Sequence, residues 1–254
     1  ATRCMLFDFG FSEGGAAFNA GALGVDLTRV EQMALSHGHL DHVGGLRALV
    51  EKTGKSGIPL VVHPAAFRQP RFLKVSETLK YHFPAFTAEE AAAAGADVIT
   101  AEAPHLMIDH NALFLGQIPR STAFEKGAPN LFCEIDGKVQ QDPFDDDSAV
   151  VFNVRGKGLV VLSGCAHSGI VNTVRYAREV TGVEPVMAIM GGFHLSGQDP
   201  DHVLRPTVEA LKTFDPAYII PTHCTGRQAV GMIEKAMPDR FILNMAGTKL
   251  TFRA

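Results

Sequence analysis

The chain has 254 residues, 46% of them hydrophobic, and carries 23 basic and 27 acidic side chains for a formal net charge of -4. This length and apolar content fit one enzyme-sized domain with a substantial core. The slightly acidic balance argues against a protein that binds nucleic acid or an anionic membrane, because both partners attract an excess of Lys and Arg. We therefore expect a small-molecule partner, and the oligomeric state stays open.

The four cysteines, at positions 4, 133, 165 and 224, form no CxxC pair and no regular framework. Such spacing favours a protein from a reducing compartment over a disulfide-stapled secreted one. No apolar run is long enough to span a bilayer, and the start of the chain does not resemble a signal peptide. We therefore expect a cytoplasmic protein.

Short apolar runs alternate with helical patterns along the chain. Runs bounded by turn-forming residues predict strands at 3–9, 32–36, 58–64, 96–100, 112–116, 130–135, 148–154, 158–164, 185–191, 217–221 and 240–245. Apolar residues at helical spacing predict helices at 44–53, 87–95, 169–182, 199–214 and 226–237. Pro206 is expected in the first turn of the fourth helix. This alternation predicts an α/β protein with two sheets packed face to face and helices outside.

The stretch LSHGHLDHVGG, residues 35 to 45, gathers three histidines and an aspartate within six positions. A solvated loop would accommodate them, and for one isolated histidine that is the better interpretation. Here His37 and His39 lie two apart, so that an extended chain can aim both the same way. Asp41 and His42 precede two glycines, which suits a turn into a helix with close backbone approach. Nitrogen and carboxylate donors together favour zinc, iron or manganese.

Three later histidines each follow an apolar run that ends in a turn. They are His167 after VVLSG, His194 after VMAIMGG and His223 after AYIIP. The ends of strands are where α/β sheets present functional side chains, so these three are candidates for the same site. We expect structural or surface roles for the histidines in polar or irregular surroundings: His63, His82, His105, His110 and His202.

These motifs resemble a known family. SHGHLDHVGG is similar to the HxHxDH signature of the metallo-β-lactamase superfamily, and LFDFG resembles its strand-ending aspartate-glycine turn. GCAHSGIVNT, GGFHL and PTHCTG resemble the dihydropteroate-synthase-like branch, typified by an archaeal dihydropterin ribofuranosylaminobenzene phosphate synthase. The resemblance implies an αβ/βα sandwich of two mixed β-sheets with outer helices, here as a single domain over residues 1–254. Family members usually carry a β-hairpin before LFDFG, and we expect that it is missing here.

The resemblance also implies two metal ions, expected to be zinc, with iron or manganese as alternatives. It assigns His37, His39 and His167 to one ion, and Asp41, His42 and His223 to the other. Cys165 stands where most members have a bridging aspartate, either as a small buried residue or as a soft ligand. Asp8 is expected either to orient a ligand or to cap a turn.

Three further features bear on catalysis. Arg120, in GQIPRSTAFE, presents a forked cation suited to an anionic substrate, with an ordinary surface arginine as the alternative. His194 has three open roles, as a metal ligand, a general acid or a packed imidazole. We expect the acidic stretch at 142–149 to be a solvated turn, although the resemblance puts Asp147 near the mouth of the site.

Three candidate functions are compatible with these motifs. A dinuclear metallohydrolase acting on a small ester, phosphoester, lactone or amide uses every motif, with Asp41 orienting the attacking water. A pterin-related transferase like the archaeal synthase depends on the resemblance alone. A redox diiron protein or a metal-binding module is disfavoured, because the diiron members have glutamate where His39 stands.

Overall fold

A computed structural model describes residues 2–254 of the chain. Its strands are β1 (Met5–Phe7), β2 (Gln32–Ala34), β3 (Ile58–Val62), β4 (Arg71–Lys74), β5 (Lys80–His82), β6 (Ala96–Thr100), β7 (His105–Met107), β8 (Ala112–Phe114), β9 (Leu131–Ile135), β10 (Lys138–Gln141), β11 (Ala149–Val154), β12 (Gly158–Ser163), β13 (Val186–Gly192) and β14 (Tyr218–Thr222). Its α-helices are α1 (Gly15–Ala22), α2 (Leu40–Val43), α3 (Leu46–Thr53), α4 (Ala88–Ala93), α5 (Ile170–Thr181), α6 (Arg205–Thr213) and α7 (Arg227–Ala236). Among residues 2–254, no helix has the length and apolar character needed to cross a membrane.

The chain divides into two compact units. The first contains the residues up to Ala103 together with Ala128–Asp146, and the second contains Pro104–Gly127 together with Asp147–Ala254. That the chain folds as one domain over residues 1–254 stays a prediction.

The first unit contains two four-stranded sheets. One has the order β1-β2-β3-β6 with every neighbouring pair parallel, and the other has the order β10-β9-β4-β5 with every pair antiparallel. Helix α3 turns Leu46, Leu49 and Val50 toward the core of the parallel sheet and ends at Gly54, whose φ of 68° is easily adopted only by glycine.

The second unit is built on one six-stranded mixed sheet of order β14-β13-β12-β11-β8-β7. Strands β12, β13 and β14 run parallel, whereas β11 is antiparallel to both of its neighbours. Helix α5 buries Ile170, Val171 and Val174 in the core of this unit. Because neighbouring parallel strands share a carboxyl edge, the turns after β12, β13 and β14 lie side by side.

The α/β class predicted from the sequence is confirmed. In detail, the described residues form three sheets rather than two, and only the six-stranded sheet is mixed. The additional antiparallel sheet arises because β4–β5 and β9–β10 form hairpins that pair with each other through β4 and β9. Helix α6 has Pro206 in its first turn, as predicted, and a π-helical turn at Pro200–Leu204 precedes it.

Several elements differ from the sequence prediction, which did not include strands β4, β5, β7 and β10. The expected strand at 240–245 is wrong, because Phe241 makes only one parallel bridge, to Ile219, before the chain turns at Met245. Helix α1 was missed, since its sequence GAAFNAGA is mostly alanine and glycine and its one large apolar side chain, Phe18, is 75% exposed. A helix of this kind has little apolar periodicity.

Candidate metal centre

In the first unit the turn after β2 holds three buried histidines. His37, His39 and His42 are buried, and the ring centroid of His37 lies 4.5 Å from that of His39 and 4.2 Å from that of His42. One ring nitrogen of His37 and one of His39 lie within 4.8 Å of each other. His39 precedes α2, so Asp41 and His42 lie on that helix, with Asp41 Oδ2 3.6 Å from His42 Nε2. The expected turn into a helix is confirmed.

Glycines hold this turn against the rest of the unit. A Cβ at Gly38 would lie 1.9 Å from the Ala66 carbonyl oxygen, and one at Gly44 would lie 2.0 Å from that of Phe11. Both distances are far below van der Waals contact, so no other residue fits without moving the backbone. The close backbone approach expected at Gly44 and Gly45 is confirmed, since a Cβ at Gly45 would lie 2.3 Å from the Phe9 carbonyl oxygen, and Gly38 adds a contact that was not predicted.

Asp8 orients the histidines of this turn. Its Oδ1 accepts a hydrogen bond from the Ser36 amide (2.7 Å), and its Oδ2 accepts one from the Ser36 hydroxyl (2.8 Å) and one from His42 Nδ1 (2.7 Å). The Ser36 hydroxyl in turn lies 2.9 Å from His37 Nδ1, and because its own proton points to Asp8 it accepts from that ring. Both rings thus carry a proton on Nδ1, which leaves Nε2 as a donor atom for a metal.

A buried ion-pair network supports the same turn from the other side. Arg71, which is 1% exposed, donates to both carboxylate oxygens of Asp146 and lies 2.9 Å from Asp142. Asp146 Oδ2 also accepts a hydrogen bond (2.8 Å) from the amide of Gly38, the residue between His37 and His39 in the sequence. Asp142 Oδ2 lies 4.0 Å from His39 Nε2. The network therefore ties the backbone of the histidine turn to a charge cluster inside the unit.

The prediction that residues 142–149 form a solvated turn is wrong, because Asp142, Asp146 and Asp147 are all buried. The countercharge of Arg71 makes this burial tolerable for two of them. Burial raises the pKa of Asp142 despite Arg71, whereas for Asp146 the effect of burial is outweighed by Arg71, and its pKa is lowered. In the second unit, Asp147 accepts from the Ser168 amide at 2.9 Å.

The second unit presents its candidates on three neighbouring turns. His167, His194 and His223 follow β12, β13 and β14, so the strand that carries His194 lies beside the one that carries His223, as predicted. Cys165 Sγ and one ring nitrogen each of His167 and His194 all lie within 4.8 Å of one another, and a His223 nitrogen lies within the same distance of Cys165 Sγ. The rings of His167 and His194 are 4.0 Å apart.

Each of these turns contains a non-glycine residue in the left-handed region: Ala166 (φ 57°), His194 (φ 45°) and His223 (φ 53°). Such conformations cost energy and persist where the surroundings impose them, most often at functional sites. The strain is therefore consistent with turns built to aim side chains rather than to connect elements.

Cys224 is a member of this cluster that sequence reasoning missed. Its thiol donates to the Cys165 carbonyl oxygen (3.6 Å) and is in hydrogen-bond contact with the side chains of Cys165 and His194. The hydrogen bond from Cys165, together with His194 and His223, lowers the pKa of the Cys224 thiol against the opposing effect of burial. Its position directly after His223 was the only sequence signal for it.

Arg120 lies near this edge but is exposed, with Nη2 3.5 Å from the His167 carbonyl oxygen. The loop that carries it is fixed to the start of α5, because Asn172 Oδ1 accepts from the amides of Ser121 and Thr122. Buried Glu125 accepts from the amides of Val171 and Asn172, and burial raises the pKa of its carboxyl group. Arg120 therefore presents an exposed guanidinium from a loop that hydrogen bonds hold in place.

Comparison with known proteins decides the family. The family model described as the metallo-β-lactamase superfamily matches residues 1–223. The chain belongs to the metallo-β-lactamase superfamily. It is 29% identical to the 7,8-dihydropterin-6-methyl-4-(β-D-ribofuranosyl)-aminobenzene-5′-phosphate synthase of Methanocaldococcus jannaschii, over 98% of this chain and 84% of that protein. It is also 31% identical to an uncharacterized protein of the same archaeon, over 79% of this chain and 71% of that one.

A solved structure is similar over nearly the whole chain. It is the crystal structure of Tm1679, a metal-dependent hydrolase of the β-lactamase superfamily, with a TM-score of 0.81, 25% identity and coverage of 98% of this chain and 89% of that one. These similarities confirm the metallo-β-lactamase fold and the resemblance to the archaeal synthase that the motifs indicated.

Membership in the metallo-β-lactamase superfamily implies a divalent metal, and the donors in each unit fit one. The first unit offers imidazole nitrogens and the Asp41 carboxylate, with His37 and His42 held in the tautomer that leaves Nε2 available. The second unit offers three imidazoles and the Cys165 sulfur. Nitrogen, oxygen and sulfur donors of this kind suit zinc and iron better than calcium or magnesium.

Proposed function

We propose that the protein is a metal-dependent hydrolase that acts on a small ester, phosphoester, lactone or amide. His37, His39 and His167 are the proposed ligands of one ion, and Asp41, His42 and His223 those of a second. Zinc is the proposed metal, with iron or manganese as alternatives. The observation that carries the proposal is the hydrogen-bonded chain from Asp8 through Ser36 to His37 and directly to His42. Carboxylates of this kind orient histidine ligands in metalloenzymes.

The chemistry of the proposed reaction follows from these residues. When bound, the metal lowers the pKa of a coordinated water to about 7 and polarises the substrate oxygen. Asp41 accepts a hydrogen bond from the attacking water and orients it. His194 protonates the leaving group, a role supported by its position beside His167. Arg120 binds an anionic group of the substrate, since its guanidinium is exposed next to the His167 turn.

A cytoplasmic location is part of the proposal. All four cysteines are free in the structure, which fits a reducing compartment.

The proposal is tested by metal analysis and hydrolysis on matched variants. Purified protein should carry more than one equivalent of transition metal and hydrolyse at least one member of a panel of chromogenic esters, lactones and phosphodiesters. The double variant His37→Ala/His39→Ala should lose most of one equivalent and all hydrolysis, whereas His202→Ala, at an exposed position, should keep both. Full metal content in the double variant would contradict the ligand assignment.

A second candidate function is supported by the similarity to the archaeal synthase over 98% of this chain. In that case the same residues would assist a transferase that joins a pterin to an arylamine. An assay with a dihydropterin pyrophosphate and an aminobenzoate distinguishes the two. Product formation in that assay, without turnover of the hydrolysis panel, would favour the transferase.

A further inference from the structure

Two cysteines of the second unit meet across a strand that separates them. Cys165 belongs to the turn after β12 and Cys224 to the turn after β14, and β13 lies between these strands in the sheet. Side chains on non-neighbouring strands are ordinarily about 9 to 10 Å apart, which is twice the strand spacing. Something in β13 must therefore let the two residues approach.

Gly192, the last residue of β13, provides that opening. A Cβ at this position would lie 2.8 Å from Cys224 Sγ and 3.2 Å from Cys165 Cα, so any side chain would occupy the space where the cysteines meet. Without it, Cys224 Sγ reaches to 3.6 Å from the Cys165 carbonyl oxygen and donates to it. Because Cys224 Sγ contacts the Cys165 backbone, and both residues border the space left by the missing Gly192 side chain, the two cysteines are within the reach of a disulfide.

The other two cysteines differ in their surroundings. Cys133 lies buried on β9 and Cys4 lies before β1, and both belong to the first unit. Of the four cysteines in the sequence, the second unit therefore contains Cys165 and Cys224. Burial raises the pKa of Cys133 to about 11, which keeps it a protonated, slow nucleophile. Cys133 and Cys4 therefore serve as internal controls.

We propose that Cys165 and Cys224 form a redox-active dithiol that peroxides oxidise to a disulfide. One thiol attacks a peroxide oxygen, which breaks the O–O bond, releases one water or alcohol and leaves a sulfenic acid. The second thiol displaces the sulfenic oxygen as water and forms the S–S bond. Overall, two thiols lose two electrons and two protons to one peroxide.

The disulfide has a consequence that depends on the proposed function. It joins the turn that carries His167 to the turn that carries His223, and because both histidines are proposed metal ligands, the new bond should displace their donor atoms. Oxidation should therefore lower the metal content of the protein, and reduction should allow the metal to bind again.

The experiment maps the disulfide on the whole chain. Protein is treated with a tenfold excess of hydrogen peroxide, alkylated and digested with trypsin, which releases Cys165 in peptide 158–175 and Cys224 in peptide 213–227. Two of the four thiols should escape alkylation, and the two peptides should be found cross-linked until dithiothreitol is added. Cys224→Ser should abolish the cross-link, and Cys133→Ser should leave it unchanged.

Two results would overturn the proposal. One is alkylation of Cys165 and Cys224 in full after peroxide treatment, and the other is a cross-link that involves Cys133 or Cys4 instead. The metal content of the reduced protein, measured before oxidation, tests the proposed function separately. Reduced protein without metal would contradict the proposed function but would leave the disulfide proposal unaffected. Unchanged metal content in protein with the mapped disulfide would overturn the link between oxidation and metal release.

Discussion

Asp8 and His42 are joined by a 2.7 Å hydrogen bond from the imidazole Nδ1 to the carboxylate. The two residues are 34 positions apart, and Asp8 itself lies in the left-handed region with a φ of 58°. A bond of this length to a carboxylate is charge-assisted and fixes both the tautomer and the direction of the ring.

Asp8→Asn should weaken metal binding without unfolding the protein. Asparagine has one side-chain oxygen, and its amide nitrogen cannot accept, so at least one of the three donors that Asp8 satisfies loses its acceptor; the rings are then held less firmly, and affinity should fall about 10- to 100-fold. Competition with a chromogenic chelator measures the change. Asp26→Asn, at an exposed turn cap, is the matched control and should bind metal normally. Equal affinities for the two variants would refute the orienting role of Asp8.

His194→Ala separates the three roles left open by the sequence. If His194 is the general acid, the variant should keep its metal and lose about 100-fold in turnover, with a smaller loss for substrates that have good leaving groups. Metal analysis and rates for a series of leaving groups decide the matter. Loss of metal would assign a ligand role instead, and unaltered turnover would leave His194 a packed imidazole.

Arg120→Lys should raise KM for anionic substrates and leave neutral ones unaffected. Lysine keeps the charge but lacks the planar fork that binds two oxygens of a carboxylate or phosphate. Initial rates across paired anionic and neutral substrates measure the effect, with exposed Arg227→Lys as the control. The same KM for every anionic substrate would remove Arg120 from the binding site.

Arg71→Met should be among the most destabilising single substitutions in the first unit. It leaves Asp142 and Asp146 buried without their countercharge, which should cost about 3–5 kcal/mol in the free energy of unfolding. Urea denaturation measures the loss. Arg205→Met breaks an exposed ion pair with Asp201 and should cost less than about 1 kcal/mol. Similar losses for both would mean that the buried network contributes little.

His63 should make the protein less stable in acid. It is buried, and burial lowers the pKa of its imidazole from the usual 6.5, although nearby Asp146 opposes the shift. Its Nδ1 accepts from the Ala65 amide, which only the neutral ring can do. As the pH falls, His63 therefore binds a proton in the unfolded state before it does so in the folded state. The free energy of unfolding decreases as the pH falls from 6.5 through the lowered pKa of the folded state.

His63→Asn tests that dependence, because asparagine can still cap the turn but does not titrate. Its free energy of unfolding should change less than that of the parent between about pH 7 and pH 5. His202→Asn, on the surface, should keep the parent's profile. If the free energy of unfolding has the same pH dependence in the parent and in His63→Asn, then His63 does not contribute to the acid sensitivity.

Much of the histidine turn after β2 could be predicted from the sequence, because all residues of the HxHxDH motif lie within six positions and the glycines that follow indicate close backbone packing. His167, His194 and His223 were predictable for a different reason, since each follows a strand and parallel strands share an edge. Arg71 could not be anticipated: its partners lie 71 and 75 positions downstream, in an acidic stretch that is normally solvated. The role of Cys224 could not be predicted, because its contact with Cys165 depends on Gly192, which lies in a third segment of the chain.

The left-handed Ala166 has a consequence for engineering the protein. Alanine held at a φ of 57° costs roughly 1 kcal/mol or more, which glycine would not incur. Ala166→Gly would remove that cost, but it would also remove a buried methyl group and raise the conformational entropy of the unfolded chain, so we expect little net change in stability. The same change would give residue 166 more backbone freedom, so its neighbours Cys165 and His167 would hold their donor atoms with less precision.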